Sequence, residues 1–312
     1  MQNNIDKVLS EVQKVILGKN DVAQKILMAF LANGHVLLDD VPGTGKTTLA
    51  LAFSKAMGLK YQRIQFTPDV MPSDIVGFSI FNKSTNTFDF VPGAVIRTNI
   101  LLGDEINRTS SKTQSALLEA MEEHQVTVDR KTYPLEDPFF VIATQNNVGT
   151  AGTQMLPYAQ MDRFLVRLSI GYPDFDSQVA IIKDRQLANP VDAVTQVLSA
   201  ADVRDMQQEA KAVTVSDAIL GYITRLTFAT RENPLVEVGI SPRGAIAVNN
   251  MAKACAYVKG RNYVIPEDVM EVFADVCAHR MVLSQKARLN KTTAAAVLAD
   301  IVKKVELPNH IR

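Results

Sequence analysis

Short apolar stretches alternate with longer amphipathic stretches through the first half of the chain. Between the short stretches, apolar residues recur at the spacing of helices. Strands that alternate with helices favour a parallel sheet covered on both faces. The pattern therefore predicts an α/β domain over residues 1–172. The predicted strands are His35–Leu38, Tyr61–Phe66, Asn99–Leu102, Phe139–Thr144 and Phe164–Ser169.

The pattern changes near Gly171–Asp174 and stays helical from there on. Apolar residues then recur every three or four positions, and no segment predicts a strand convincingly. An all-α second domain over residues 173–312 is expected. Turn-forming pairs break its helices at Asn189–Pro190, Asn233–Pro234, Lys259–Gly260 and Ile265–Pro266.

Two segments interrupt the alternation in the first half. The polar turn cluster Asn82–Asn86 is flanked by two strand-like runs, which predicts a β-hairpin over about residues 78–91. Asp129–Lys131 is flanked in the same way, which predicts a second hairpin over about residues 125–135. Such insertions serve either as surface decoration or as binding elements, and the sequence leaves both uses open.

The charge of the chain is balanced. Among its 312 residues, 33 are basic and 33 are acidic. The balance holds in both halves, with 16 basic and 17 acidic residues up to position 172, then 17 and 16. This composition offers no surplus of positive charge for nucleic acid, although a local basic patch is compatible with a neutral total.

The chain carries no sign of export or of membrane insertion. Met1–Lys14 is polar and lacks the apolar core of a signal peptide, and no apolar run approaches the ~20 residues that span a bilayer. A cytoplasmic protein is therefore expected. Cys255 and Cys277 lie in helix-like apolar stretches and are predicted to be buried thiols, since no histidine stands at zinc-ligand spacing from them.

The strongest chemical signal is a glycine-rich loop between the strand His35–Leu38 and a helix predicted over Thr47–Ala56. In such a loop, backbone N–H groups close around a β-phosphate, and the helix N-terminus adds partial positive charge. The Lys46 ammonium can reach the β- and γ-phosphates, and the Thr47 hydroxyl can ligate Mg²⁺. The residues predicted to contact the nucleotide here are Pro42, Gly43, Thr44, Gly45, Lys46, Thr47 and Thr48.

A second element ends in paired carboxylates. The apolar run Asn99–Leu102 leads through Gly103 to Asp104 and Glu105, which places both acids at the carboxyl edge of the sheet. Asp104 would hold Mg²⁺ through water, and Glu105 would accept the proton of the attacking water.

Three further residues stand where phosphoryl transfer needs them. Asn146 follows the strand Phe139–Thr144, and its neutral amide can orient the attacking water. Arg163 precedes another strand and is suited to stabilise the phosphoryl group of a neighbouring subunit. Arg243 lies in the first turn of a helix, where a cation opposes the helix dipole unless an anion is present, so a γ-phosphate sensor is predicted.

With these residues together, the chain resembles the MoxR family of AAA+ ATPases over essentially its whole length. The resemblance implies an α/β P-loop AAA+ core, whose central parallel sheet is flanked by helices, followed by an α-helical lid domain. The most specific matching segments are Arg63–Asp69, Met71–Ile75, Asp104–Arg108, Leu117–Met121 and Asp162–Phe164.

The resemblance also implies a family role for each candidate residue. The segment Val15–Gly18, with Ile16 and Leu17, resembles the part of the family that lies beside the adenine. The two hairpins resemble the helix-2 insert and the pre-sensor-1 insert. The remaining roles are Walker A for Lys46 and Thr47, Walker B for Asp104 and Glu105, sensor 1 for Asn146, arginine finger for Arg163 and sensor 2 for Arg243.

The family further implies ATP and ADP as ligands, Mg²⁺ as cofactor and hexameric rings of identical subunits. It implies a chaperone-like role on other proteins, often beside a protein that carries a von Willebrand factor A domain. Three positions depart from the usual pattern: Asp40 replaces the first glycine of the loop, Asn147 replaces a proline and Tyr158 replaces a glutamate. The Asp40 carboxylate is expected to point away from the phosphates, and Tyr158 bears on the subunit interface.

Three functions compete at this point. The preferred hypothesis is a protein-remodelling ATPase. A nucleic-acid motor, such as a helicase or helicase loader, would use the hairpins to grip DNA, but they hold few basic residues, namely Lys83, Arg130 and Lys131. A nucleotide-binding switch with little turnover is the third, and the intact Glu105 argues against it.

Overall fold

The structure is a computed structural model that describes residues 2–41, 43–146, 156–184 and 189–308. Its strands are β1 (His35–Asp39), β2 (Tyr61–Gln65), β3 (Gly77–Asn82), β4 (Thr87–Pro92), β5 (Ile100–Asp104), β6 (Gln125–Val128), β7 (Lys131–Pro134), β8 (Phe140–Gln145), β9 (Phe164–Leu168), β10 (Val236–Val238) and β11 (Val282–Leu283). Its α-helices are α1 (Gln2–Gln13), α2 (Asn20–Leu31), α3 (Lys46–Ala56), α4 (Pro72–Val76), α5 (Ser111–Glu123), α6 (Tyr158–Met161), α7 (Phe175–Asp184), α8 (Ala200–Lys211), α9 (Asp217–Glu232), α10 (Pro242–Val258), α11 (Pro266–Cys277), α12 (Gln285–Leu289) and α13 (Ala294–Lys304).

A five-stranded parallel sheet in the order β2-β5-β8-β1-β9 forms the centre of the first domain. All residues of β5 and β8 are buried, which is why both strands begin with an unbroken apolar run rather than with alternating apolar and polar residues. The α/β core with a central parallel sheet is therefore confirmed, and the strand bounds differ from the predicted ones by one or two residues.

Helices cover both faces of this sheet. On β1, Val36 and Leu38 belong to the apolar cluster formed with α1, α2 and α3, whereas Leu37 belongs to the cluster formed with α5. Alternate residues of a strand point to opposite faces, so each face of the sheet receives its own helical layer. In the part of the chain that the structure describes, every helix is too short or too polar to span a bilayer.

Both predicted hairpins are present. The first pairs β3 with β4, and the second pairs β6 with β7. Asp129 and Arg130, between β6 and β7, both have positive φ (48° and 65°), as a two-residue turn between twisted strands requires. Phe90 of the first hairpin stacks on Tyr133 of the second with ring centroids 4.0 Å apart, so the hairpins support each other.

The second domain is mainly helical, with one departure from the prediction. β10 and β11 form a two-stranded antiparallel ribbon, in which Val236 lies opposite Leu283. Strands of three and two residues are too short to show a period in the sequence, and their partners lie far apart in the chain. The expectation of no strand in this half was therefore wrong at these two segments.

The helical domain packs against the core through a continuous apolar cluster that includes residues of α2, β9, α10 and α11. Cys255 of α10 and Cys277 of α11 are fully buried free thiols, as predicted. Burial raises the pKa of each thiol to about 12, which leaves both in the unreactive protonated form.

His35, at the start of β1, is buried as a neutral imidazole. Its Nε2–H donates to the Met121 carbonyl at 3.0 Å, and its Nδ1 accepts the Val141 N–H at 3.1 Å. A proton on Nδ1 would face that N–H, and burial lowers the pKa of His35 from 6.5 to about 4.

The buried imidazole predicts a loss of stability in mild acid. Because the folded pKa of His35 lies below the unfolded one, the unfolded chain binds the proton first as the pH falls from 6.5 towards 4. The free energy of unfolding should then fall by up to about 1.4 kcal/mol per pH unit. Denaturant titrations at several pH values measure this slope. The His35→Gln variant should show a shallower slope, whatever its packing defect at pH 8, and equal slopes would contradict the prediction.

Candidate nucleotide-binding site

The carboxyl ends of four neighbouring strands surround one polar cavity of about 360 Å³. Parallel strands end at a common edge, so residues far apart in the chain meet there. The residues that line this cavity are Asp40, Gly43, Gly45, Lys46, Thr47, Thr48, Arg63, Gln65, Asp104, Glu105, Thr144, Gln145 and Asn146.

The glycine-rich loop, named the phosphate loop for its predicted role, leads from β1 into α3. Gly43 and Gly45 have φ values of 85° and 87°, a region that residues with a Cβ rarely adopt. The Lys46 Nζ donates to the Val41 carbonyl at 2.7 Å and to the Asp40 carbonyl at 3.3 Å. Burial lowers the pKa of Lys46, and the surrounding carboxylates act in the opposite direction. Pro42 lies outside the described residues.

The Asp40 carboxylate is held by the chain that leaves β9. It accepts the Ser169 hydroxyl at 3.0 Å, the Gly171 N–H at 3.0 Å and the Ile170 N–H. These bonds tie the start of the loop to the segment that follows β9, the outermost strand beside β1. The substitution of the first glycine by Asp therefore has a structural reason, since the carboxylate fixes where the loop begins.

Asp104 lies at the end of β5 and is nearly buried. Its Oδ1 accepts the Thr144 hydroxyl at 3.0 Å, and its Oδ2 lies 2.9 Å from Nε of Arg63. The Thr144 hydroxyl in turn accepts the Glu105 N–H at 2.9 Å. One buried threonine of β8 therefore positions the Asp104 carboxylate at the end of β5 and the backbone of Glu105 directly after it.

Glu105 has a positive φ of 56° and directs its carboxylate into the cavity. Strained backbone of this kind is concentrated at functional sites. Its Oε2 accepts Nε2 of Gln65 at 3.0 Å and the Arg108 guanidinium at 2.9 Å. The side chain is thus held by neutral and cationic donors on two sides.

Arg63 and Gln65 also line the cavity but were not among the predicted site residues. Both lie on β2, where Arg63 pairs with Leu102 and Gln65 with Asp104 in register. Their spacing of two places them on one face at the end of a strand, which is the signal that would have identified them.

Asn146 follows β8 and lines the same cavity. Its carbonyl accepts Nδ2 of the buried Asn107 at 3.0 Å, and its N–H lies 3.4 Å from Oδ1 of Asn107. Asn107 therefore anchors the chain at the point where Asn146 enters the site. Asn147 lies outside the described residues.

A second cavity, of about 370 Å³ and more apolar, adjoins the phosphate loop. Ile16 and Leu17 line it together with Gly45, Tyr172 and Ile181. A Cβ on Gly45 would lie 3.6 Å from Ile16, so the N-terminal segment contacts the loop directly. An apolar cavity beside a phosphate loop is of the kind that accommodates a base.

Arg163 and Arg243 lie elsewhere, at the opposite edge of the sheet. Both contact Glu122: Arg163 at 2.6 Å and Arg243 at 3.0 Å. The two guanidinium groups, Arg163 first, hold the pKa of Glu122 below its usual value. Phe164 pairs with His35 at the start of β1, whereas the phosphate loop follows the end of β1. A five-residue strand is about 13–17 Å long, and this length separates the residues before β9 from the phosphate loop. Because Arg243 contacts the same Glu122 as Arg163, it does not face the phosphate loop of its own chain.

Comparisons with known proteins identify the family and the fold of the chain. Residues 35–166 match the ATPase family associated with various cellular activities (AAA), and residues 228–301 match the AAA lid domain. The chain is 45% identical over 304 residues to the uncharacterised protein YeaC of Bacillus subtilis, covering 97% of this chain and 95% of YeaC. It is 38% identical over 315 residues to the chaperone MoxR1 of Mycobacterium tuberculosis, covering 98% and 83%.

A crystal structure of a candidate ATPase from Cytophaga hutchinsonii superposes with a TM-score of 0.92 at 38% identity, covering 99% of this chain and 96% of that one. The parallel sheet, the loop after β1 and the helical lid thus define an AAA+ ATPase. Since the likeness to MoxR1 extends over nearly the whole chain, the protein belongs to the MoxR family of AAA+ ATPases.

Proposed function

We propose that this chain binds ATP with Mg²⁺ and hydrolyses it to ADP and phosphate. The observation that carries the proposal is that Lys46, Thr47, Asp104 and Glu105 line one cavity at the carboxyl edge of the sheet. The adjoining apolar cavity offers a place for the base.

The donor set at the cavity fits a hard divalent cation. The Thr47 hydroxyl and the Asp104 carboxylate are oxygen ligands of the kind that Mg²⁺ prefers, and both line the cavity. These two residues would hold the metal, which supplies neutralising charge to the phosphate oxygens when bound. Arg63 forms an ion pair with Asp104 and balances the negative charge of this carboxylate.

The other residues of the cavity bind the phosphates and activate the attacking water. Lys46 binds the β- and γ-phosphates, and the N–H groups at Gly43 and Gly45 surround them. Glu105 accepts a proton from the attacking water, and Asn146 orients that water. Gln65 and Arg108 hold the Glu105 carboxylate in place.

This division predicts different defects in two variants. Lys46→Ala removes the ammonium group that binds the phosphates, so ATP binding should be lost. Glu105→Gln keeps the shape of the side chain and leaves Lys46 in place, so ATP should bind with near-normal affinity. Hydrolysis should be at least a hundredfold slower, because general base catalysis usually contributes that much. Titration with a fluorescent ATP analogue and steady-state phosphate release measure the two quantities. Weak ATP binding or wild-type turnover in Glu105→Gln would contradict the role given to Glu105.

We further propose that Arg163 and Arg243 act on the nucleotide of a neighbouring subunit. Both lie on the edge of the sheet away from their own phosphate loop, and together they share Glu122. A subunit with its cations on one edge and its phosphate site on the other completes a site by head-to-tail assembly, which closes into a ring. A hexamer is the ring that the family implies.

Assembly in this manner predicts complementation between inactive chains. Arg163→Ala chains keep an intact phosphate site, and Lys46→Ala chains keep an intact Arg163. Mixing them should restore part of the hydrolysis, because some interfaces then join two intact halves. Phosphate release across mixing ratios is the measurement, with the ring size checked by light scattering. If mixed rings form and stay inactive at every ratio, Arg163 does not act between subunits.

The energy of hydrolysis is proposed to act on a protein client. The β3–β4 hairpin exposes Phe78, Ile80, Phe81 and Phe88, with 41% to 70% of each accessible. Exposed apolar groups of this size mark sites of protein contact, whereas nucleic-acid contact requires cations that the hairpins largely lack. A protein with a von Willebrand factor A domain is the first candidate partner, and the relative MoxR1 is named a chaperone.

The apolar hairpin predicts the response to added macromolecules. A reduced, carboxymethylated protein, used as an unfolded probe, should change the ATPase rate, and DNA at near-physiological salt should not. Phe81→Ser with Phe88→Ser should abolish the response to the probe and leave the basal rate unchanged. Leu289→Ser is the matched control, since Leu289 is 77% exposed but lies in the helical domain. Several-fold stimulation by DNA, weakening steeply with salt, would instead support the nucleic-acid motor.

A further inference from the structure

One residue of the helical domain is embedded in the core domain. Arg280 lies in the short turn Ala278–Arg280 after α11 and is only 2% exposed. Its guanidinium donates to three carbonyls at the start of β9: Asp162 at 2.9 Å, Phe164 at 2.6 Å and Leu165 at 2.9 Å. Its Nε also donates to the Asp162 carboxylate at 2.6 Å.

These acceptors flank Arg163 on both sides. The preceding residue and the two following residues are fixed from the helical domain, while the Arg163 side chain itself points outward to Glu122. Two further bonds reinforce the contact. His279 Nε2 lies 2.9 Å from the Phe164 carbonyl, and the Tyr158 hydroxyl donates to the Arg280 carbonyl. Tyr158, which replaces the glutamate of the family pattern, therefore makes a contact within its own chain, at the junction of the two domains.

Burying a guanidinium costs the free energy of desolvating its charge, which packing alone does not require. Burial lowers the pKa of Arg280, and Asp162 counteracts that effect. An apolar side chain of similar volume would avoid the desolvation of a charge. The planar fork of arginine, by contrast, holds several acceptors in a fixed geometry, which neither lysine nor an apolar residue achieves. The conformation of the chain around Arg163 is what this fork determines.

The same carboxylate links the second arginine to the junction. Asp162 Oδ2 lies 3.7 Å from Nε of Arg243, and Arg243 in turn contacts Glu122 beside Arg163. Arg280, Asp162, Arg243, Glu122 and Arg163 therefore form one connected set of charges between the helical domain and the outer edge of the sheet.

We propose that Arg280 is a positioning residue for Arg163: it couples the placement of the helical domain to the cation that acts on the next subunit. This inference rests on the proposed role of Arg163 between subunits. A displacement of the helical domain in one subunit then changes hydrolysis in its neighbour rather than in itself.

The test uses the Arg280→Lys variant of the full chain. Lysine keeps the charge but loses the fork, so kcat should fall roughly ten- to a hundredfold, as for a misplaced catalytic group. The affinity for ATP should stay unchanged, because the chain's own phosphate site lies at the opposite edge of the sheet. Asp275→Asn is the matched control. It breaks another link between the domains, the 2.9 Å Lys25–Asp275 pair, without touching the Arg163 segment, and should keep the wild-type kcat.

Two readouts separate positioning from general damage. The double variant Arg163→Ala/Arg280→Lys should keep the residual rate of Arg163→Ala, measured at high protein concentration, because Arg280 acts through Arg163. Arg280→Lys chains mixed with Lys46→Ala chains should regain activity. Loss of ATP affinity, a further loss in the double variant or an unchanged kcat would each overturn the proposal.

The outcome also separates this inference from the proposed function. If Arg163→Ala itself keeps the wild-type rate, the interface role fails. If Arg163→Ala is inactive and Arg280→Lys is normal, only the positioning role fails. Should Arg280→Lys not fold, Tyr158→Phe removes one hydroxyl at the same junction. It should lower kcat at unchanged affinity for ATP, and an unchanged kcat would overturn the proposal.

Discussion

The common direction of the five strands is the constraint on which the rest of the structure depends. Because β1, β5 and β8 end at one edge, the phosphate loop meets Asp104, Glu105 and Asn146 there. Because β9 runs the same way beside β1, the residue before it, Arg163, lies at the opposite edge. The same geometry that assembles the candidate phosphate site thus separates it from the arginines, and assembly in a ring is the proposed means of joining them.

Buried polar groups set the details within this frame. Thr144 bonds to the Asp104 carboxylate and to the Glu105 N–H, and Asn107 anchors the chain at Asn146. The half-buried Asp40 ties the phosphate loop to the segment that follows β9. At the other edge, Arg280 fixes the backbone around Arg163. A buried polar group that loses its partner is costly, so each of these bonds holds its neighbours to one arrangement. The apolar layers supply the stability, and the polar bonds supply the geometry.

Several features could be predicted because their signal is local. The loop through Gly43 and Gly45, the acids Asp104 and Glu105 and the two hairpins are each encoded by adjacent residues, as are the five core strands. Periodicity and turn chemistry act over a few residues and remain visible in the chain itself. The β10–β11 ribbon escaped prediction because its strands are very short and pair across a long separation.

The arrangement of the arginines belongs to tertiary structure alone. From its position in a first helical turn, Arg243 was expected to sense a γ-phosphate, but nothing in the chain showed that it lies beside Arg163 and Glu122. Likewise, Arg63 and Gln65 join the site only through the register of β2 with β5, and Arg280 reaches β9 only through the docking of the helical domain. The linear chain therefore specifies the chemistry of each segment. Which segments meet depends on strand order and domain packing, which arise from many weak contacts distributed over the whole molecule.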